Sequence, residues 1–143
     1  MAGDVPRTAA GRRHLQVACA VIERDGAVLA AQRGAAMSLP LAWEFPGGKI
    51  RAGESVEGCL ARELREELGI AVRVLGSLPP ATHDYPEFTV TLHPRRCALE
   101  AGALTLHEHA AVRWLAPEEL RDLDWAAADL PVVEAWLDAE RSG

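Results

Sequence analysis

The sequence is poor in cysteine, and the cysteines it has do not form a pattern. Cys19, Cys59 and Cys97 are odd in number, far apart and set in apolar or amphipathic runs. That excludes a disulfide framework and the close spacing of a zinc site. They read as buried free thiols. No apolar run approaches the roughly 20 residues of a membrane-spanning helix. The opening stretch, MAGDVPRTAAGRRH, carries basic residues but no following apolar segment with a cleavage site, so residues 1–14 read as a flexible tail and not a signal. Positive charge is also in deficit: the net charge is −6 and the pI about 5.3. A binder of nucleic-acid polymers would need a basic face to neutralise phosphates. A nucleotide substrate stays open, because metal ions can supply the positive charge. There is no internal repeat, low-complexity tract or linker. What remains is 143 residues, 49% hydrophobic, enough for one domain with a sizeable core, placed over residues 15–140. A reducing, cytoplasmic location is expected, without a membrane partner.

Leu15 to Arg24, LQVACAVIER, is rich in β-branched and small apolar residues and reads as a strand. Asp25-Gly26 is a two-residue hairpin signal, with Ala27 to Arg33 as the returning strand. The stretch GAAMSLPLAWEFPGG, broken by Pro40, Pro46 and paired glycines, reads as loop. A helix fits Val56 to Leu68, started by Ser55 and stopped by Gly69. IAVRVLGSL and EFTVTLHPRRCALE read as two strands separated by a Pro79-Pro80 turn, and AAVRWL as a third. Pro117 starts a short helix and Pro131 a last amphipathic one. This order predicts a mixed α/β domain around one sheet, not a regular βαβ array.

The helix over 56–68 carries the chemistry. At about 100° per residue, Val56, Cys59, Leu60, Leu64 and Leu68 form its core stripe. Glu67 falls inside that stripe, Glu63 at its edge and Glu66 on the adjoining flank. Arg62 and Arg65 point elsewhere on the wheel. Carboxylates crowded on a half-buried flank repel one another, and an unpaired buried carboxylate is costly. Two readings are open on spacing alone: a salt-bridged surface helix, or a divalent metal site of oxygen ligands. Gly47, Gly48 and Gly53 allow close backbone approach where the helix begins, which adds weight to a site.

The same stretch resembles the Nudix box. Gly48, five residues, Glu54, seven residues, Arg62-Glu63-Leu64, one residue, Glu66-Glu67, one residue and Gly69-Ile70 match it at every defined position. VIERDGAVLAAQR, WEFPGGK, HEHAAVRWLAPEEL and DWAAADLPVVEAW extend the resemblance to the MutT-like subgroup, especially its members that act on cytidine nucleotides. The resemblance implies an α/β/α sandwich with a mixed sheet between helices. It implies Mg²⁺-dependent hydrolysis (Mn²⁺ can substitute) of a nucleoside triphosphate to monophosphate and pyrophosphate. Glu63, Glu66, Glu67 and the Gly47 carbonyl would be metal ligands, with Glu66 also able to orient the nucleophilic water. Glu54 and Arg62 would brace the loop and helix beside Gly48. Glu108 would approach the metals and serve as base. Arg33 and Lys49 would steady phosphate oxygens. The partner would be a small nucleotide, and the protein a monomer or homodimer.

Base selection points to other residues. Asp129, just before the last helix, stands where MutT-like proteins read the base; it can equally cap that helix. A carboxylate there would accept from the exocyclic amine of cytosine. Enzymes of guanine oxidation carry an amide at this place. A protonated acid can also donate, which keeps 8-oxo-dGTP as the alternative substrate. Phe45 either walls the base pocket or packs in the core. His107 and His109, flanking Glu108, read as surface residues of a strand and are assigned no role. A non-catalytic nucleotide-binding module is the remaining alternative, though such modules usually lose box carboxylates and this chain keeps them all.

Overall fold

The computed structural model describes residues 11–142. Eight strands among them form one mixed sheet. They are β1 (His14–Arg24), β2 (Ala27–Gln32), β3 (Trp43–Glu44), β4 (Gly47–Lys49), β5 (Ala71–Ser77), β6 (Ala81–Asp84), β7 (Thr89–Ala101) and β8 (Ala111–Leu115). Two long helices, α1 (Val56–Leu68) and α2 (Leu130–Ser142), complete the domain. The central pair, β1 and β7, is parallel from His14↔Thr89 to Glu23↔Ala98, and every other pairing among the named strands is antiparallel.

Alternation along β1 and β2 divides the core in two. Cys19, Val21, Val28 and Ala30 face one side, with Val132, Val133 and Trp136 of α2. Ala18, Ala20, Ile22 and Leu29 face the other, with Cys59, Leu60, Leu64 and Leu68 of α1. Successive strand side chains point to opposite faces, so a parallel pair buried on both sides needs a helix on each. The α/β/α sandwich follows. The three cysteines are free and buried, as expected.

Local signals set several boundaries. Asp25 and Gly26 both adopt positive φ, 52° and 80°, as a two-residue hairpin turn requires. Ser55 Oγ accepts from the Gly58 N–H at 2.9 Å and caps α1. Gly69 ends it in the left-handed conformation, φ 70°.

Elsewhere the structure departs from the sequence expectation. The stretch read as loop contains β3 and β4, whose two and three residues are too short to show a period. A separate strand, β6, follows Pro79-Pro80 and forms a hairpin with β7. Pro117–Asp122 is a 3-10 turn, and a second 3-10 turn, Ala127–Asp129, leads into α2. The expected tail over residues 1–14 does not extend to residues 12–14. Arg13 O accepts from Thr89 N–H at 2.8 Å, Arg12 Nη1 donates to Pro86 O at 3.2 Å, and His14 is already in β1. The rest of that expectation lies mostly outside the described residues.

Candidate active site

Strand β4 and helix α1 meet at two glycines. Gly47 and Gly48 pair with Cys19 and Ala18 of β1. A Cβ on Gly47 would lie 1.9 Å from Ala18 O, and one on Gly48 would lie 2.3 Å from Glu63 Cδ. Only bare backbone lets the Glu63 carboxylate lie against the strand.

Arg62 organises that carboxylate. Its Nε donates to Glu54 Oε2 at 2.8 Å and its Nη2 to Glu54 Oε1 at 3.0 Å, a bidentate pair. Nη1 reaches Glu63 Oε1 at 2.8 Å and lies 3.5 Å from the half-exposed Glu66. Nη2 also donates to Lys49 O at 3.3 Å. The helical wheel points Arg62 away from the carboxylates, yet in the structure its guanidinium lies on Glu54 and Glu63. A wheel shows where Cβ leaves the helix, whereas the long arginine arm turns back across the flank. The guanidinium holds Glu54 down to about 2, with the Arg51 N–H adding to the effect.

Glu67 is different. Its Oε2 is buried with no hydrogen-bond partner. Burial pushes its carboxyl above the usual range, and the nearby Glu108 and Glu63 push it further. An orphaned carboxylate oxygen inside an acidic cluster calls for a cation. Among the described residues no three His, Cys, Asp or Glu side chains form a ready-made cage, and Glu63 Oε1 is held by Arg62. Magnesium sites often use one or two carboxylates and complete the shell with water and substrate phosphate. The oxygen-only donors, the Glu63 carboxylate seated against Gly48 and the unpartnered Glu67 oxygen fit such an ion.

A family model, the NUDIX domain, matches residues 12–136. The chain belongs to the Nudix family. It is 40% identical over 123 residues to the CTP pyrophosphohydrolase of Escherichia coli (strain K12), covering 86% of this chain and 91% of that protein. It is 32% identical over 122 residues to the 8-oxo-dGTP diphosphatase of the same strain, covering 85% and 95%. The solution structure of the E. coli ORF135 protein superimposes with a TM-score of 0.80 at 36% identity, covering 94% of this chain and 96% of that one. The Nudix sandwich expected from the box is therefore the observed fold.

The residues assigned to the rest of the Nudix site fall into two groups. Lys49 is exposed at the end of β4. Arg33 is already engaged: Nη1 pairs with Glu44 Oε1 at 2.7 Å, Nη2 donates to Ser38 Oγ at 3.0 Å, and Nε bonds Ser38 O. It secures the 34–42 loop, in which Leu39 and Leu41 take positive φ. At the other end, Asp129 is 5% exposed, and its Oδ2 accepts from the Phe45 N–H at 2.9 Å. Burial raises the Asp129 carboxyl to about 8 against the opposing Phe45 hydrogen bond. The Phe45 ring is buried against Trp125, 4.7 Å between centroids, so its side chain packs in the core while its backbone serves Asp129. Tyr85 Oη accepts from Ala128 N–H at 3.0 Å and steadies the turn that presents Asp129.

Sequence reasoning missed His109. It lies in the strandless segment between β7 and β8, and it is no surface residue. Its side chain is 4% exposed and its Nε2 bonds Glu44 Oε2 at 2.7 Å. Its partner stands 65 positions earlier, so no local spacing announces it. The one available hint was Glu44, an acid between Trp43 and Phe45 that needed a partner if those aromatics were buried.

Proposed function

We propose that this Nudix enzyme hydrolyses nucleoside triphosphates, (d)CTP or modified cytidine triphosphates, to the monophosphate and pyrophosphate with Mg²⁺. The observation that carries the reading is the unpartnered, buried Glu67 oxygen beside Glu63, Glu108 and the Gly47-Gly48 strand. Glu63, Glu66, Glu67, Glu108 and the Gly47 carbonyl would hold the ion. Once bound, it offsets polyphosphate charge and lowers the pKa of coordinated water. The chain's own groups do the rest. Arg62 fixes Glu63, and Glu54 fixes Arg62, so the ligand set is oriented before substrate arrives. Glu108 or Glu66 takes the proton of the attacking water. Lys49 faces solvent where a phosphate oxygen can meet it.

Asp129 reads the base. The chain's similarity to the E. coli CTP pyrophosphohydrolase supports a cytosine, whose exocyclic amine would donate to the acid. One observation favours a second reading: an Asp129 carboxyl raised to about 8 is protonated for much of the physiological range and can donate, as recognition of 8-oxo-dGTP would need. We place the enzyme in the cytoplasm, as a monomer or homodimer; no helix among the described residues is long and apolar enough to cross a membrane.

The test is pyrophosphate release from CTP, dCTP, 5-methyl-dCTP, 8-oxo-dGTP, dGTP and ADP-ribose, with and without Mg²⁺, for wild type and Glu67→Gln. Turnover that needs the ion, favours a cytidine triphosphate and falls at least about 100-fold in the variant is the expected result. Equal turnover by both proteins removes the proposed chemistry.

A further inference from the structure

Glu108 stands on a segment with few ties. Between Thr105, whose N–H donates to Leu68 O at 2.9 Å, and Ala110, whose N–H donates to Gln32 O at 2.8 Å, His107 and Glu108 are exposed. The buried exception is His109. Its hydrogen bond to Glu44 Oε2 completes a chain, because Glu44 Oε1 is held by Arg33 and Arg33 holds Ser38. Three segments, the 34–42 loop, β3 and the Glu108 segment, are thus locked through one carboxylate. A second feature fixes the same place from below. A Cβ on Gly34 would lie 2.6 Å from Glu108 O, so the backbone of Glu108 rests directly on that glycine.

We propose that His109 is a positioning residue: through Glu44 and Arg33 it clamps the segment that aims Glu108 at the Glu67 side of the catalytic cluster. The inference rests on the reading of Glu108 as part of that cluster. The geometry has a clear purpose. A loop carboxylate that must meet a reacting centre loses effectiveness when it is displaced by even about 1 Å. A buried, bonded side chain next to it supplies the stiffness that the strandless backbone lacks. Glu44 is suited to the task because both its oxygens are occupied, so its carboxylate cannot swing. These bonds share no residue with the Glu54–Arg62 brace, which acts on Glu63.

Two measurements test it. Hydrogen exchange reports the clamp alone: His109→Ala should speed exchange over residues 102–110 while α1 and α2 stay protected. Steady-state kinetics report its purpose. His109→Ala should lower kcat by roughly 10- to 100-fold, with KM for the nucleotide nearly unchanged. His109→Gln, whose amide can still donate to Glu44, should restore most of the loss. Gly34→Ala, which pushes on Glu108 O without touching His109, should reproduce it. Combined with Glu108→Gln, the His109→Ala defect should be largely absorbed and not multiplied. Unchanged exchange over 102–110 in His109→Ala overturns the clamp. Faster exchange with multiplied losses, or with a silent Glu108→Gln, overturns the aim at Glu108; retained turnover by Glu67→Gln instead points to failure of the function reading.

Discussion

The backbone N–H of Phe45 donates to the buried carboxyl of Asp129 across 84 positions of sequence. That bond ties the segment before β4 to the turn before α2.

The raised Asp129 carboxyl has a consequence for stability. Its folded value, about 8, lies above an ordinary aspartate, so the native state holds a proton that the unfolded chain releases. This contribution is complete below about pH 4 and is lost as pH rises toward 8. Asp129→Asn, which keeps an acceptor for Phe45, should flatten the fall in Tm between pH 5 and 8. A thermal-melt series across that range, compared with wild type, checks it; parallel curves would contradict the assignment.

Base choice should separate from bond cleavage. Asp129→Ala is expected to lose discrimination between cytidine and other triphosphates while still releasing pyrophosphate. Competition assays with CTP and dGTP give the ratio of specificity constants. A ratio matching wild type would remove Asp129 from base recognition.

Gly48→Ala should fold and fail as an enzyme. The new methyl group would fall 2.3 Å from Glu63 Cδ, and the carboxylate must leave its position. Turnover is expected to drop by roughly 10- to 100-fold, as for other losses of ligand orientation, with the far-UV spectrum unchanged. Retained kcat would show that Glu63 need not lie against β4.

Arg62→Ala releases Glu54 and Glu63 together. Glu54 is held low, at about 2, by Arg62, so its contribution is present above the ordinary glutamate value and disappears as pH falls through 2. The Tm gap between wild type and variant should therefore narrow between about pH 4.5 and 2. Glu54 is only partly buried, so the gap itself should be modest, whereas kcat should fall more steeply. Melting curves and kinetics on the same samples distinguish the two effects.

Much of the molecule was legible along the chain. The Asp25-Gly26 hairpin, the Ser55 and Gly69 ends of α1, and the stripe of Cys59, Leu60, Leu64 and Leu68 all depend on neighbours a few residues apart, where backbone geometry and periodicity act. Strands β3 and β4 were not legible, because their existence depends on β2 and β1 arriving beside them. Arg62 was misdirected by a wheel that ends at Cβ. His109 was passed over because Glu44 reaches it only in the folded chain.

By itself, the amino-acid order determined an α/β domain and a helix whose glutamates crowd one flank, since spacing and turn chemistry are properties of the local chain. Tertiary structure alone decided which of those acids were neutralised. It set Arg62 on Glu54 and Glu63, left Glu67 Oε2 without a partner and buried Asp129 beside Phe45. The reason is electrostatic: the energy of a charge depends on the water and partners that surround it, and those come from segments far away in sequence.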